Sequence, residues 1–499
     1  MSEKFQTSDV MSKRRAGVLL HPTSLPGPLS NGDFGHDAYR FIEFISKCGF
    51  RIWQMLPLGP THEDKSPYQC LSAHAGNPLL ISLTWLSDKN WLDVSQLYGE
   101  KDQISYRRDA LILAGEKFYS VLDDDWAVRL ENFKQENSYW LDDFSLFMAL
   151  KEKFGYLSWN RWPIPLRNRL RASIEEARNE LSESIAQVVF EQFVFFTQWH
   201  ELRNYAHENN VLLFGDMPIF VAYDSADVWQ HRECFLMNKE GELSFVAGVP
   251  PDAFSDTGQR WGNPLYDWEF MHNDGFQWWK ERFKTQLKLF DLIRIDHFRG
   301  LESYWKIPAN EDTAINGHWV KAPGKEFLST MFETFETLPI IAEDLGMITD
   351  EVIELRKLFN LPGMKILQFA FDGNSSNPYL PHNHDQHCVV YTGTHDNDTT
   401  LGWCNSLNDE SKGQLLSYIN YKSNDAQNLF SSMIRMSLSS VCPLVILPMQ
   451  DILSLDSAHR MNTPGTNGSN WQWRFSWQQV DPDLSNSFNK LLSIYDRIH

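Results

Sequence analysis

The stretch LIRIDHFRG at 292–300 decides how this chain folds. Its first half is apolar and branched apart from Arg294, the composition of a strand covered on both faces. It then runs into a carboxylate, Asp296. Three other runs repeat the design: VLLFGDMPIF (211–220) with Asp216, LPIIAEDLG (338–346) with Glu343, and VVYTGTHDND (389–398) with Asp396. In each, the acid sits at or just past the strand's C-terminal end. In a parallel barrel that end is the face where chemistry is done. Acids from separate strands on one rim can supply a nucleophile, a general acid/base and an electrostatic stabiliser, the equipment of a retaining glycosidase or transglycosidase. A single strand-end acid is as readily a helix N-cap; four in order are not readily four caps.

Four more apolar runs fit the same element: AGVLLHP (16–22), FRIWQMLP (50–57), GMKILQFAF (363–371) and CPLVILPM (442–449). Eight strands with helical patterns between them predict an α/β fold, a single (β/α)8 TIM barrel spanning 1–499. Two stretches exceed what a βα unit needs. The first separates the second and third strands. Its Leu-, Glu-, Lys- and Arg-rich part, 85–195, has helical periodicity and is expected to be an inserted helical subdomain. The second, 222–275, is rich in Gly, Pro and aromatics and reads as a long ordered loop; loops of such length are usually functional.

Composition excludes several classes. The chain has 499 residues and a formal charge of −20. That charge argues against a nucleic-acid partner, whose binding rests on Lys and Arg neutralising phosphates. No window approaches the ~18 uninterrupted apolar residues of a membrane span, and the first residues lack a signal-peptide core. The six cysteines form no CxxC pair or Cys/His cluster, so no metal is expected and they read as free thiols of a reducing, cytoplasmic compartment.

An ordered set of short motifs makes the reading sharper: HPTSLPG (21–27), WQMLPLGP (53–60), SPYQ (66–69), GDMPIFV (215–221), GVPPDAFSDTGQRWGNPLYDW (248–268), RIDHFRG (294–300), AEDLG (342–346), YTGTHDNDT (391–399) and RMNTPGT (460–466). Together they resemble the 4-α-glucanotransferases of the amylomaltase type, glycoside hydrolase family 77 of the α-amylase clan, over nearly the whole chain. The resemblance implies transfer of an α-1,4-glucan segment from malto-oligosaccharide or amylose to the 4-hydroxyl of another glucan or of glucose, without cofactor. Oligomeric state, monomer or homodimer, stays open.

The resemblance also implies roles. Asp296 matches the nucleophile that forms a covalent glycosyl-enzyme, Glu343 the acid/base and Asp396 the third carboxylate, which grips sugar hydroxyls. His395 matches a sugar-binding histidine, and Asp216 an acid supporting the site floor. Tyr68, Trp261 and Phe369 match aromatics lining glucose subsites; Gln259 belongs to a loop over the substrate, and Asn462 lies near the donor side. Asp256 stands where the family pattern favours Glu. Arg294 shares a strand face with Asp296, because side chains alternate with period two, and is expected to hold that carboxyl's pKa down. The same alternation points His297 and Asp344 away from the site. Two other classes fit the motifs less fully: an α-glucan hydrolase of the same clan, and a non-catalytic glucan-binding protein, which would not need all three carboxylates.

Overall fold

The structure is a computed structural model describing residues 9–27, 29, 31–93, 95, 103–252, 255–421, 425–466 and 468–499. Its strands, in chain order, are β1 (Arg15–Leu19), β2 (Ile52–Gln54), β3 (Leu212–Pro218), β4 (Phe245–Val249), β5 (Gln259–Pro264), β6 (Leu292–Asp296), β7 (Ser303–Pro308), β8 (His318–Lys321), β9 (Ile340–Ala342), β10 (Gly363–Ile366), β11 (Cys388–Tyr391) and β12 (Leu444–Pro448). Eight of them form one parallel sheet, β10-β11-β12-β1-β2-β3-β6-β9. The two end strands meet where the Ala342 N–H donates to the Pro362 carbonyl at 2.8 Å, closing the ring. Order around the ring is order along the chain, the (β/α)8 barrel that the eight apolar runs predicted.

Parity along each strand sorts the side chains. Leu19, Ile52, Phe214, Leu292, Ile341, Ile366, Val389, Tyr391 and Ile446 pack together inside the barrel. Their neighbours Val18, Trp53, Leu213, Ile293, Ile340, Val390 and Val445 join the larger core between barrel and helices. Both faces are therefore apolar, which is why the runs lack polar alternation. Two steps beyond an inward apolar residue comes an inward polar one. Phe214 leads to Asp216, Leu292 to Arg294 and Asp296, and Ile341 to Glu343. Gly215 lets the outer layer approach at this level, since a Cβ there would lie 2.1 Å from Phe290 Cδ2.

The first insertion is helical: Gln103–Ser120, Asp124–Lys153, Arg171–Glu180 and Ser182–Glu208. Residues 94 and 96–102 of the expected 85–195 subdomain lie outside the described residues. Two buried glutamines of the last helix dock it on the segment after β2. Gln192 bonds both the N–H and the carbonyl of Gly76, at 2.8 and 2.9 Å; Gln198 does the same with Ser82, at 2.7 and 3.2 Å.

The region after β3 is more regular than a loop. It holds the helices Ala226–Gln230 and Trp268–Asn273 as well as β4 and β5. β4 pairs antiparallel with β5 and with β7, and β7 with β8, giving a second sheet β5-β4-β7-β8. This sheet joins segments that follow two different barrel strands. The sixth apolar run also ends early: β10 stops at Ile366, and Leu367–Phe369 is a 3-10 turn, so Phe369 sits above the strand rather than on it.

Candidate active site

Arg294 is the centre of the rim. It is 5 % exposed, and its guanidinium spans two carboxylates. Nη1 lies 2.6 Å from Asp216 Oδ2 and Nη2 lies 2.8 Å from Asp296 Oδ1. Burial works against its charge, but Asp216 and Asp296 outweigh that and raise its pKa well above the usual value. The planar fork suits this two-sided contact. Asp216 Oδ2 also accepts the Tyr68 hydroxyl at 2.7 Å. With that proton given to Asp216, the Tyr68 oxygen accepts from His395 Nε2 at 2.9 Å, which assigns a proton to that ring nitrogen.

Asp296 ends β6, and its net shift differs from the expectation. Burial pushes the carboxyl up; Arg294 pulls it down, Asp216 pushes it up again, and the pKa rises to about 6. Arg294 thus limits the rise without reversing it, because the cation is shared with Asp216 and the site is deep.

Glu343 follows β9 directly and is fastened to the Asp296 segment. Its N–H donates to the Ile295 carbonyl at 3.1 Å, and its carbonyl accepts from the Phe298 N–H at 3.1 Å. Its carboxyl accepts the backbone N–H of His297 at 2.6 Å on Oε2 and that of Leu345 at 2.9 Å on Oε1. Burial raises its pKa to about 7; the Asp296 charge adds to the rise, and Arg294 with the two N–H donors opposes it.

Asp396 has the opposite character. Its side chain is 46 % exposed; crowding by the rim would raise its carboxyl, but the His395 imidazole 3.4 Å away and the Asn462 amide 2.7 Å away bring it down to about 2. Asn462 and His395, each 9 % exposed, are therefore brought to Asp396 and to the Tyr68 hydroxyl. Arg460 Nη2 donates to the Asp396 carbonyl at 3.0 Å.

The aromatic candidates divide. Tyr68 lies beside His395, with rings 5.3 Å apart and 18° from parallel, and near Trp471 at 5.9 Å. Its hydroxyl works in the carboxylate network rather than only offering a face. Trp261 stands edge-on to His297 at 4.9 Å, and its indole N–H donates to Gln259 Oε1 at 3.0 Å. Phe369 packs edge-on against Tyr379 at 5.5 Å. Asp256 is exposed, next to residues 253–254 outside the described set. Asp344 points away, accepting the Met364 N–H at 2.7 Å and facing Arg356 at 3.2 Å.

Three contributors were missed by sequence reasoning. His297 adopts a left-handed backbone, φ +53°, and its N–H meets Glu343; histidine is enriched in that conformation, but too weakly to mark one position in a sequence. Trp471 packs on Tyr68 and His395, and its nearness to RMNTPGT (460–466) was the only cue. His21, in HPTSLPG, is buried near His395; burial and that neighbour lower its pKa to about 3.

The chain is similar to known proteins over nearly its whole length. A family model described as 4-alpha-glucanotransferase matches residues 20–479. The chain is 45 % identical over 481 residues to a 4-alpha-glucanotransferase of Thermus thermophilus, covering 94 % of this chain and 96 % of that protein. It is 42 % identical over 507 residues to a chloroplastic/amyloplastic 4-alpha-glucanotransferase of Solanum tuberosum, covering 98 % and 88 %. Among solved structures, amylomaltase from Streptococcus agalactiae in complex with acarbose superposes with a TM-score of 0.93 at 36 % identity, over 97 % of this chain and 100 % of that one. The chain belongs to the 4-alpha-glucanotransferase family, glycoside hydrolase family 77.

Proposed function

We propose that this enzyme moves α-1,4-glucan segments by a double displacement through Asp296. The observation that carries the reading is the pair Asp296 and Glu343, linked through backbone and Arg294, with one carboxyl raised to about 6 and the other to about 7. Near neutrality the first is mainly ionised and the second about half protonated, as a nucleophile and a general acid require. Asp296 attacks the anomeric carbon while Glu343 gives its proton to the departing 4-oxygen. The glycosyl ester that results no longer carries the Asp296 charge. That charge is one of the causes raising Glu343, so its loss lowers the Glu343 pKa. The acid becomes the base that takes the proton from the acceptor hydroxyl. Two inversions retain the anomeric configuration. Asp396, held ionised, accepts sugar hydroxyls; Asp216 and Tyr68 hold Arg294 and His395 in place.

Transfer rather than hydrolysis rests on the Trp261 strand. Gln259 and His297 hold the indole from two sides, a fixed platform for an acceptor sugar. A held acceptor has a high effective molarity relative to water. The bond made is of the same kind as the bond broken, so the exchange needs no external energy source. The proposed substrates are malto-oligosaccharides and amylose, with glucose among the acceptors. Among the described residues no helix is long and apolar enough to cross a membrane.

Incubation with maltotriose tests the proposal. A ladder of longer sugars whose new linkages are α-1,4 by NMR, together with released glucose, is the expected result. Shorter sugars alone would mean a hydrolase, no change would mean a binding protein, and newly formed β linkages would exclude the covalent route.

A further inference from the structure

A second reactive cluster lies at the opposite end of the barrel. Cys388 opens β11, and Cys442 stands two residues before β12. The strands pair in parallel, Val389 beside Leu444, which brings the two side chains to one point. Their sulfur atoms are 2.6 Å apart, and both thiols are buried. Packed atoms without a bond or hydrogen bond stay about 3.5 Å or more apart, whereas bonded sulfurs sit at about 2.05 Å. The same two sulfurs lie 3.3 and 3.2 Å from the Asp385 carbonyl oxygen. Ser440 completes the cluster: its hydroxyl accepts the Cys442 N–H at 3.2 Å and meets His384 Nδ1 at 3.1 Å.

The other thiols are different. Burial pushes Cys48, Cys70 and Cys404 up to about 12. The contact between the two sulfurs pulls one thiol of the pair, Cys442, down against the effect of burial, with His384 and Ser440 assisting, and pushes Cys388 up. A thiolate is the nucleophilic form of cysteine.

We propose that Cys388 and Cys442 are a reversible oxidation site, converted by hydrogen peroxide into a disulfide that ties the seventh barrel strand to the eighth. The Cys442 thiolate attacks one peroxide oxygen; the O–O bond breaks, giving a sulfenic acid and hydroxide. The Cys388 sulfur then attacks the Cys442 sulfur, its proton leaves with the departing hydroxyl as water, and the S–S bond forms. Two thiols lose two electrons, and peroxide is reduced to two waters. A dithiol reductant reverses the step by exchange. A tie between residues 54 apart in sequence restricts the unfolded chain. It lies at the strand ends remote from the carboxylates, so stability should change while transfer does not.

The test uses the full chain, treated with hydrogen peroxide or with dithiothreitol, then denatured, alkylated and weighed. The oxidised sample should carry two fewer alkyl groups than the reduced one. Its non-reduced digest should contain a cross-link between the Cys388 and Cys442 peptides, and its melting temperature should rise by several degrees. Cys388→Ala and Cys442→Ala should each lose the cross-link and the shift; if either fails to fold, the wild-type digest still decides. Full alkylation after peroxide, a different pairing, or a Cys442 sulfinic acid without cross-link would each overturn the proposal.

Discussion

The backbone N–H of His297 donates to Glu343 Oε2 at 2.6 Å, so the residue after the proposed nucleophile holds the proposed acid/base. The two carboxyls are thus positioned by one short peptide segment rather than by two independent loops. Their chemistry should fail together but in distinguishable ways.

Asp296→Asn should fold normally and lose at least ~10³-fold in transfer from maltotriose. Glu343→Gln should lose a similar factor with maltotriose but far less in the first step with an α-maltosyl fluoride, whose leaving group needs no proton. Equal losses on both donors would remove Glu343 from the acid role.

The raised carboxyls also fix a pH dependence. With Asp296 near 6 and Glu343 near 7, the rate should follow a narrow bell whose limbs lie close to those values. Arg294→Ala removes the cation that lowers Asp296, so the acid limb should move upward while the rate falls by about 10²-fold or more. A limb that stays in place would mean that Asp296 is not the group titrating there.

Stability should respond to Glu343 with a definite sign. Its folded pKa of about 7 lies above its ordinary 4.5, so its contribution is fully present below 4.5 and is lost as pH rises through 7. Glu343→Gln does not titrate. The stability of the variant minus that of wild type should therefore increase from pH 4.5 to 8, by at most about 3 kcal/mol. The constant offset from an amide facing a backbone N–H does not alter this slope. Urea midpoints at several pH values measure it, and a flat difference would contradict the shift.

Trp261→Ala should reduce transfer more than hydrolysis, by about tenfold in their ratio, because water needs no aromatic platform. The ratio of products from maltotriose measures it. Gln259→Leu, which frees the indole N–H, should move the ratio the same way but less. An unchanged ratio in both would assign acceptor preference elsewhere, with Tyr68 and Phe369 next to examine.

The barrel was legible because its strands are apolar on both faces and four of them run into a carboxylate. Arg294 was read from its parity with Asp296, and Asp216 from its place at a strand end and from the resemblance. The sheet β5-β4-β7-β8 was not, since its strands are short and pair across segments that local patterns treat separately. FVAGV gave no alternation to follow, and the Gly- and Pro-rich stretch around it reads as loop. The net pKa of Asp296 was hidden for a different reason: a neighbour on the same strand is visible in sequence, but depth and a shared cation are not. Tyr68 was read as a site aromatic from its motif, whereas its hydroxyl contact to Asp216, on a strand 148 residues away, has no local signal.

The ring is not equally firm all the way round. β9 has three residues, and its backbone tie to β10 is the bond from Ala342 to Pro362, with the Asp344 carboxylate adding a second across to the Met364 N–H. The seam is therefore closed partly by a side chain, immediately beside Glu343. The acidic neighbour of the proposed proton donor acts as a clasp: it fastens the seam beside Glu343 while its own carboxylate points away from the site.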